Sequence, residues 1–167
     1  MRVFVPFLMS CVLAGCTPAA EQPAQSLDDA KTAIRAKIDD YTATVGSLDM
    51  DKIATVWATT PEVSFIQPRG EQQGWDEISN VFYGRVMGQN FTERNLQLDG
   101  EPSITVYGDS AVALFEWVFD ATRADNGETI QTRGRETQVF VNIPEQGWRI
   151  VHVHYSGPPV TAAGEGF

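Results

Sequence analysis

The chain has little histidine, little cysteine and little positive charge. Its 167 residues include two histidines and two cysteines, and 12 lysines and arginines stand against 22 acidic residues, for a net charge of −10. Nucleic acid is therefore excluded as a partner, because phosphate binding needs a basic surface, and electrostatic docking on an anionic membrane is excluded for the same reason. With 43% apolar residues, a chain of this length suits one globular domain with its own core.

The N-terminal apolar run, residues 3–15, is shorter than the roughly 20 residues that a membrane-spanning helix needs. It follows a single basic residue, Arg2, and predicts a signal peptide. Its end, Leu13-Ala14-Gly15-Cys16, resembles the bacterial lipobox, in which the signal is cut before a cysteine that becomes lipidated. A plain secretory signal with an incidental cysteine is the alternative.

The lipobox resemblance implies a domain plan and a location. Residues 1–15 are the cleaved lipoprotein signal, 16–25 a Pro/Ala/Gln tether, 26–158 the folded domain and 159–167 a flexible tail. Lipid on Cys16 would anchor the protein on the periplasmic side of the bacterial cell envelope, and Thr17 favours the outer membrane. Membrane contact is then expected through the N-terminal lipid only.

Lipidation would also leave the mature domain without a thiol. Cys11 leaves with the signal and Cys16 carries the lipid. A disulfide, a thiolate metal site and a cysteine nucleophile are then excluded from the domain.

Three helices are predicted in the first half of the domain. Ser26 followed by two aspartates is a good helix start, and apolar residues then recur at spacings of three and four up to Leu48. A second helix begins after Asp49 and ends before Pro61. A third opens near Trp75, with Ile78, Phe82 and Val86 on one side.

The second half of the domain changes to a period of two, which predicts strands. A short strand at 62–68 and a turn at 69–74 precede the third helix. Longer strands follow at about 91–98, 103–107, 111–122, 129–142 and 148–156, separated by turns rich in Gly, Asp and Asn. Gly134 is expected to mark a bulge or bend. Helices followed by antiparallel strands indicate an α+β fold with the helices on one face of a curved sheet.

The C-terminal third carries a resemblance to a known family. Its motifs are GDSAVALFEWVF (108–119), RGRETQVFV (133–141) and GWRIVHVHYSG (147–157). They resemble the SnoaL-like branch of the nuclear transport factor 2-like superfamily, with similarity to the association domain, or hub, of calcium/calmodulin-dependent protein kinase II. The resemblance covers Leu27 to Pro158 and implies a cystatin-like cone, with three N-terminal helices packed on a strongly curved, mainly antiparallel sheet.

His152 and His154 leave several roles open. Strand alternation puts Trp148, Ile150 and both histidines on one face. With Glu136 or Glu116 as a third ligand they could hold a metal, and an imidazole could also act as a base. In the kinase hub and many relatives two subunits meet on the outer sheet face. We therefore favour a homodimer face for Trp148, Ile150, His152 and His154, with no metal and no cofactor expected.

The family fold implies a pocket inside the cone, although its aromatic residues could instead simply fill the core. The kinase hub carries pocket arginines at the positions of Trp117, Gln138 and Tyr155, so that cage is mostly missing here, and Arg133 and Arg135 are candidates to replace it. The expected pocket residues are Trp57, Phe65, Phe82, Tyr83, Trp117, Gln138 and Tyr155.

Function remains divided among three hypotheses. The first is a SnoaL-like, envelope-anchored protein that binds a small apolar or aromatic ligand in its pocket, with turnover left open. The second is an isomerase or cyclase/dehydratase with His154, Glu136 or Tyr155 as pocket acid–base. The third is a non-catalytic dimeric assembly module. Spacing alone pairs no buried carboxylate with a tyrosine, because Glu116 and Asp120 alternate with the aromatic residues of their strand.

Overall fold

A computed structural model describes residues 25–158. The expected signal peptide, the expected lipidation site Cys16, the rest of the tether up to residue 24 and the tail 159–167 lie outside these residues. The helical elements are α1 (Leu27–Ser47), α2 (Met50–Val56), α3 (Trp75–Glu77), a π-helix (Ile78–Met87) and α4 (Gly88–Asn90). The strands are β1 (Ser64–Gln67), β2 (Gly70–Gln73), β3 (Phe91–Leu98), β4 (Ser103–Tyr107), β5 (Ser110–Arg123), β6 (Thr129–Ile143) and β7 (Gly147–Ser156).

Side-chain caps start both N-terminal helices, as their sequences predict. The Ser26 hydroxyl accepts a hydrogen bond from the amide of Asp29 at 3.1 Å, and Asp49 accepts one from the amide of Lys52 at 3.2 Å. The apolar stripe of α1 is buried against the sheet, and its members are Ile34, Ile38, Tyr41 and Val45. Tyr41 is thereby held with its ring inside the cone.

The third helical region is wound differently from the expected α-helix. Ten of its residues form a π-helix, which buries Ile78, Phe82, Tyr83 and Met87 and leaves Val86 half-buried. Spacings of four and five residues fit this wider turn, and the sequence pattern could not separate it from an α-helix. Phe82 and Met87 face the interior of the cone from this element.

The strands form one seven-stranded sheet, which confirms the α+β prediction. The order is β2-β1-β7-β6-β5-β3, with β4 also paired to β5. All neighbours are antiparallel except β1 and β7, which are parallel. The segment Gly70–Gln73 was expected to be a turn but is an edge strand paired with β1. The helices cover the concave face of the curved sheet, and the core lies between the two layers.

A β-bulge in β7 corrects the expected face of Trp148 and Ile150. Phe140 pairs with Ile150 and Val139 pairs with His152, so Val151 is an extra residue on β7. The bulge exchanges the two faces of the strand: Trp148 and Ile150 are buried in the core, whereas His152 and His154 point outward. The prediction that these four residues share the outer face is therefore wrong.

Gly134 serves close packing and does not form a bulge. Pairing between β5 and β6 runs through it without a shift, from Phe115–Glu136 to Phe119–Thr132. A Cβ atom at this position would overlap the carbonyl oxygen of Ser156 and the indole ring of Trp117. The missing side chain therefore lets the Trp117 ring lie across β6.

No helix among residues 25–158 is long and apolar enough to cross a lipid bilayer.

Candidate functional site: a cavity inside the cone

A cavity of about 550 Å³ opens between the concave face of the sheet and the π-helix. A volume of this size suits a small organic molecule. Most of its wall is apolar and comes from α1, the π-helix, β3, β5 and β6, in the residues Val45, Phe82, Val86, Met87, Phe91, Leu96, Trp117, Phe119 and Ile130. Polar atoms are few, and they come mainly from Tyr41, Gln67, Arg69, Arg123, Thr132, Arg133, Glu136 and Tyr155.

Glu136 is the carboxyl group inside the cavity. It lies on the concave face of β6 with 4% of its surface exposed. Burial raises the pKa of Glu136 to about 8, and this outweighs the opposing effects of a hydrogen bond from Gln138 and of the Tyr41 hydroxyl. The amide of Gln138 donates to Glu136 Oε1 at 2.7 Å. Near pH 7 the side chain is therefore mostly a neutral carboxylic acid with a proton to donate.

Two tyrosines share this part of the cavity. Tyr155 is opposite Glu136 in the β6–β7 register, and its hydroxyl donates to Gln67 Oε1 at 2.9 Å. Burial, followed by the proximity of Glu136, raises the pKa of Tyr155 to about 12. Burial, followed by the proximity of Glu136, also raises the pKa of Tyr41 well above its usual range. Both phenols therefore stay protonated near neutral pH and can donate hydrogen bonds.

The expected pocket set divides into two groups. Phe82, Trp117 and Tyr155 line the cavity, and the rings of Trp117 and Tyr155 meet edge to face at 5.6 Å. The other expected members are fully buried and fill the cone beside the cavity, so their assignment to its lining is wrong; these are Trp57, Phe65, Tyr83 and Gln138.

Their packing shows why they are part of the core. The indole Nε1 of Trp57 donates to the hydroxyl of Tyr83 at 2.9 Å, and Phe65 packs edge to face on Phe82 at 4.4 Å. Gln138 is fully buried as well, and the hydrogen bond that its amide donates to Glu136 orients that carboxyl group.

The histidines lie on the outer face, away from Glu136. His152 Nδ1 is 2.8 Å from the Ser64 hydroxyl, which ties β7 to β1, and burial followed by the charge of His154 lowers the pKa of His152. Glu136 points into the cone, so it cannot complete a metal site with the two histidines. Within residues 25–158 no three His, Cys, Asp or Glu side chains come together as metal ligands. His154 is likewise separated from Glu136 and Tyr155, with which it was expected to share acid–base work.

The two arginines considered as pocket cations behave differently. Arg135 points outward and pairs with Glu116 at 3.0 Å. Arg133 touches the cavity but also pairs with Asp99 at 2.7 Å. The sequence pattern did not point to Arg69 and Arg123, which lie in the turn after β1 and at the end of β5. The sequence sign that could have found them is an arginine at or just beyond the end of a strand that carries aromatic residues.

A second, shallower groove lies on the outer face of the sheet. Leu114, Thr137 and His154 form a row across β5, β6 and β7, because they are partners in the strand register. Leu114 is 51% exposed, and the Glu116–Arg135 ion pair borders the row. Val112 and Val139, which are paired two residues further along the strands, lie half-buried on the same face, so this outer face presents apolar surface to a partner.

The arrangement in the cavity combines an apolar wall with a proton donor that can also accept a proton. Glu136 can give its proton to a ligand oxygen or, once ionised, remove one from a ligand carbon. Tyr41 and Tyr155 can donate hydrogen bonds to a carbonyl or enolate oxygen.

Comparison with known proteins places the chain in a family. The model of the SnoaL-like domain family matches residues 34–161. No curated protein matches the chain.

Solved structures include similar proteins of several kinds. A nuclear transport factor 2-like superfamily protein from Salmonella enterica serovar Typhimurium LT2 is 47% identical, with a TM-score of 0.84 over 85% of this chain and 100% of that one. The CaMKII hub of S. rosetta is 27% identical, with a TM-score of 0.61 over 85% and 100% of the two chains. A hexachlorocyclohexane dehydrochlorinase, LinA type 2, is 16% identical with a TM-score of 0.66 over 84% and 96%, a likeness of fold alone. The chain belongs to the SnoaL-like family of the nuclear transport factor 2-like superfamily.

Proposed function

We propose that this protein binds a small apolar or aromatic molecule in the cone and moves a proton on it through Glu136. The observation that carries the proposal is a buried carboxyl group with a pKa of about 8 in the wall of a 550 Å³ apolar cavity. A carboxyl group that titrates near neutral pH is suited to both giving and taking a proton. The proposed reaction class is isomerisation or elimination next to a carbonyl group.

The roles of the residues follow from their positions. Ionised Glu136 removes a proton from a ligand carbon, and the resulting acid returns a proton to another carbon or to a leaving hydroxyl group. Tyr41 donates to the ligand oxygen on which negative charge develops, and Tyr155 does so when it exchanges its hydrogen bond to Gln67 for one to the ligand. The fold of a dehydrochlorinase is the same, so it can hold an elimination reaction, although that likeness concerns the fold alone.

The test uses 2-tetralone, a bicyclic aromatic ketone with acidic hydrogens next to its carbonyl. Saturable binding is measured by quenching of tryptophan fluorescence, and exchange of those hydrogens for deuterium is followed by proton NMR. We expect the exchange rate to rise with pH and level off above pH 8. Glu136→Gln should lower the rate about a hundredfold or more, because general base catalysis typically contributes that much.

The control is Glu116→Gln, the same change on the outer face of β5, which should exchange at the wild-type rate. If 2-tetralone binds and Glu136→Gln exchanges as fast as the wild type, the proton-transfer role is wrong and ligand binding stands. If 2-tetralone does not bind, ligand binding in the cavity is contradicted for this class of molecule.

A homodimer is the second element of the proposal, supported by the exposed row of Leu114, Thr137 and His154 on the outer sheet face. A dimeric assembly role on its own remains the alternative if the cavity binds nothing. His154 belongs to that row and His152 lies beside it on β7, whereas Trp148 and Ile150 are buried in the core.

Anchoring at the envelope is the third element, and it rests on the sequence around Cys16, outside residues 25–158. Partitioning of the expressed protein between Triton X-114 and water tests it. The wild type should enter the detergent phase and Cys16→Ser the aqueous phase. Identical partitioning of the two would contradict the anchor.

A further inference from the structure

The cavity concentrates positive charge in an acidic protein. Among residues 25–158, three arginines line it, Arg69, Arg123 and Arg133, whereas one acidic residue does. That acidic residue is Glu136, which is mostly uncharged near pH 7 because it is buried. Two of the three arginines are each paired with a carboxylate, so within the described residues Arg69 supplies the uncompensated positive charge of the lining.

Arg69 differs from the other two arginines in having no carboxylate of its own. Arg133 is 2.7 Å from Asp99, and Arg123 Nε is 3.4 Å from Glu128. Among residues 25–158, no carboxylate lies within ion-pair distance of Arg69. With respect to the described residues, its guanidinium is therefore available to the anionic group of a ligand.

Arg69 also lies next to the polar corner of the cavity. It is an exposed residue of the turn between β1 and β2, two residues after Gln67, which accepts the hydrogen bond of Tyr155. Arg69 and Tyr155 line the same cavity, and the positive charge of Arg69 lowers the pKa of Tyr155 against the larger effect of burial. The cation therefore stands at the rim, where a charged ligand group can keep part of its hydration.

We infer that the ligand is an amphiphilic anion, with an apolar or aromatic body inside the cavity and a carboxylate bound by Arg69 at the rim. The inference rests on the proposed function, since it assumes that the cavity binds a ligand. A guanidinium matches a carboxylate with two parallel hydrogen bonds. The apolar wall accounts for the body, and neutral Glu136 does not repel the anion.

The experiment compares two probes of nearly equal shape, 2-naphthoate and its neutral amide, 2-naphthamide. Their dissociation constants are measured by isothermal titration calorimetry at pH 6.5 and low salt. We expect wild-type protein to bind naphthoate about ten- to a hundredfold more tightly than naphthamide, as a charge-assisted hydrogen bond implies. Arg69→Gln should bring the two constants together by weakening naphthoate alone.

The matched control is Arg85→Gln, which removes one positive charge from an exposed site on the π-helix that does not line the cavity. It should keep the wild-type preference for naphthoate. Equal affinity of the wild type for both probes would overturn the inference and leave ligand binding intact. A preference that survives in Arg69→Gln would overturn the role of Arg69, and failure of both probes to bind would count against the pocket itself.

Discussion

Glu136 is the residue on which the chemistry of the cavity depends. Its carboxyl group has lost most of its contact with water, and within the part of the chain that is described its polar partners are Gln138 and Tyr41. Neither carries a charge that could stabilise the carboxylate. Burial therefore dominates, and the group keeps its proton to a pH at which an exposed glutamate would have lost it.

This retained proton makes the stability of the fold depend on pH. The pKa of Glu136 is about 8 in the folded protein, above its ordinary value of 4.5. Between those values the folded state binds more protons than the unfolded state, so the free energy of unfolding falls as pH rises, by on the order of 1 kcal/mol per pH unit. Glu136→Gln removes this titration. We expect the variant to match the wild type near pH 4.5 and to become more stable by a few kcal/mol at pH 8, as measured by urea unfolding.

Glu116→Gln is the control for this measurement, because Glu116 is half-exposed on the neighbouring strand. Its unfolding free energy should follow the wild-type curve across the same pH range. If the unfolding free energies of the wild type and of Glu136→Gln change in parallel with pH, Glu136 does not have a raised pKa in the folded protein.

The sequence could name Glu136 as a candidate but could not pair it with a tyrosine. Tyr41 is on α1, 95 positions earlier in the chain, and only the packing of α1 on the sheet brings it to the cavity. Tyr155 is a cross-strand partner of Glu136, but that register depends on the bulge at Val151. Neither proximity is visible in spacing along the chain.

At the scale of elements, β7 shows that one extra residue in a strand changes which of its side chains share a face. Strict alternation predicts that Trp148, Ile150, His152 and His154 share a face. The bulge at Val151 allows the strand to turn Trp148 and Ile150 at one end, and Val153 and Tyr155 at the other, toward the concave face of the sheet. Apolar residues on both faces around Val151 were the one sequence sign of this change, and they are equally compatible with a regular buried strand.

A substitution at Gly134 tests how closely Trp117 packs on β6. In Gly134→Ala the new methyl group would meet the Ser156 carbonyl and the Trp117 ring, and the backbone atom cannot retreat without breaking the β6–β7 pairing. We expect a loss of about 2 to 3 kcal/mol in the free energy of unfolding, measured by urea titration. Trp117 should also move, which a change in fluorescence would report.

Gly157→Ala is the matched control, since a Cβ atom there has nothing within 4 Å. It should leave stability within about 0.5 kcal/mol of the wild type. If Gly134→Ala is equally harmless, Trp117 does not lie across β6 as the structure has it.

At the scale of the whole molecule, the architecture was the most predictable property. The switch from a helical period to a strand period and the C-terminal motifs together indicated the cone, and the fold and family are confirmed. The interior was less predictable, because aromatic residues such as Trp57 and Phe82 look alike in sequence although only Phe82 reaches the cavity. The distinction depends on tertiary packing, because Trp57 at the end of α2 donates to Tyr83 within the core, whereas Phe82 on the π-helix faces the cavity.

At the scale of the assembled molecule, we expect the outer face of the sheet to be the interface of a homodimer. If two copies meet through the row of Leu114, Thr137 and His154, light scattering of residues 26–158 at micromolar concentration should give twice the mass of one chain. Leu114→Asp would bury a carboxylate in that contact and should yield a monomer, because an unpaired buried charge is strongly unfavourable. Leu27→Asp places the same change at a similarly exposed site on α1 and should leave the dimer intact. A monomeric wild type, or equal dissociation of both variants, would show that this face is not the interface.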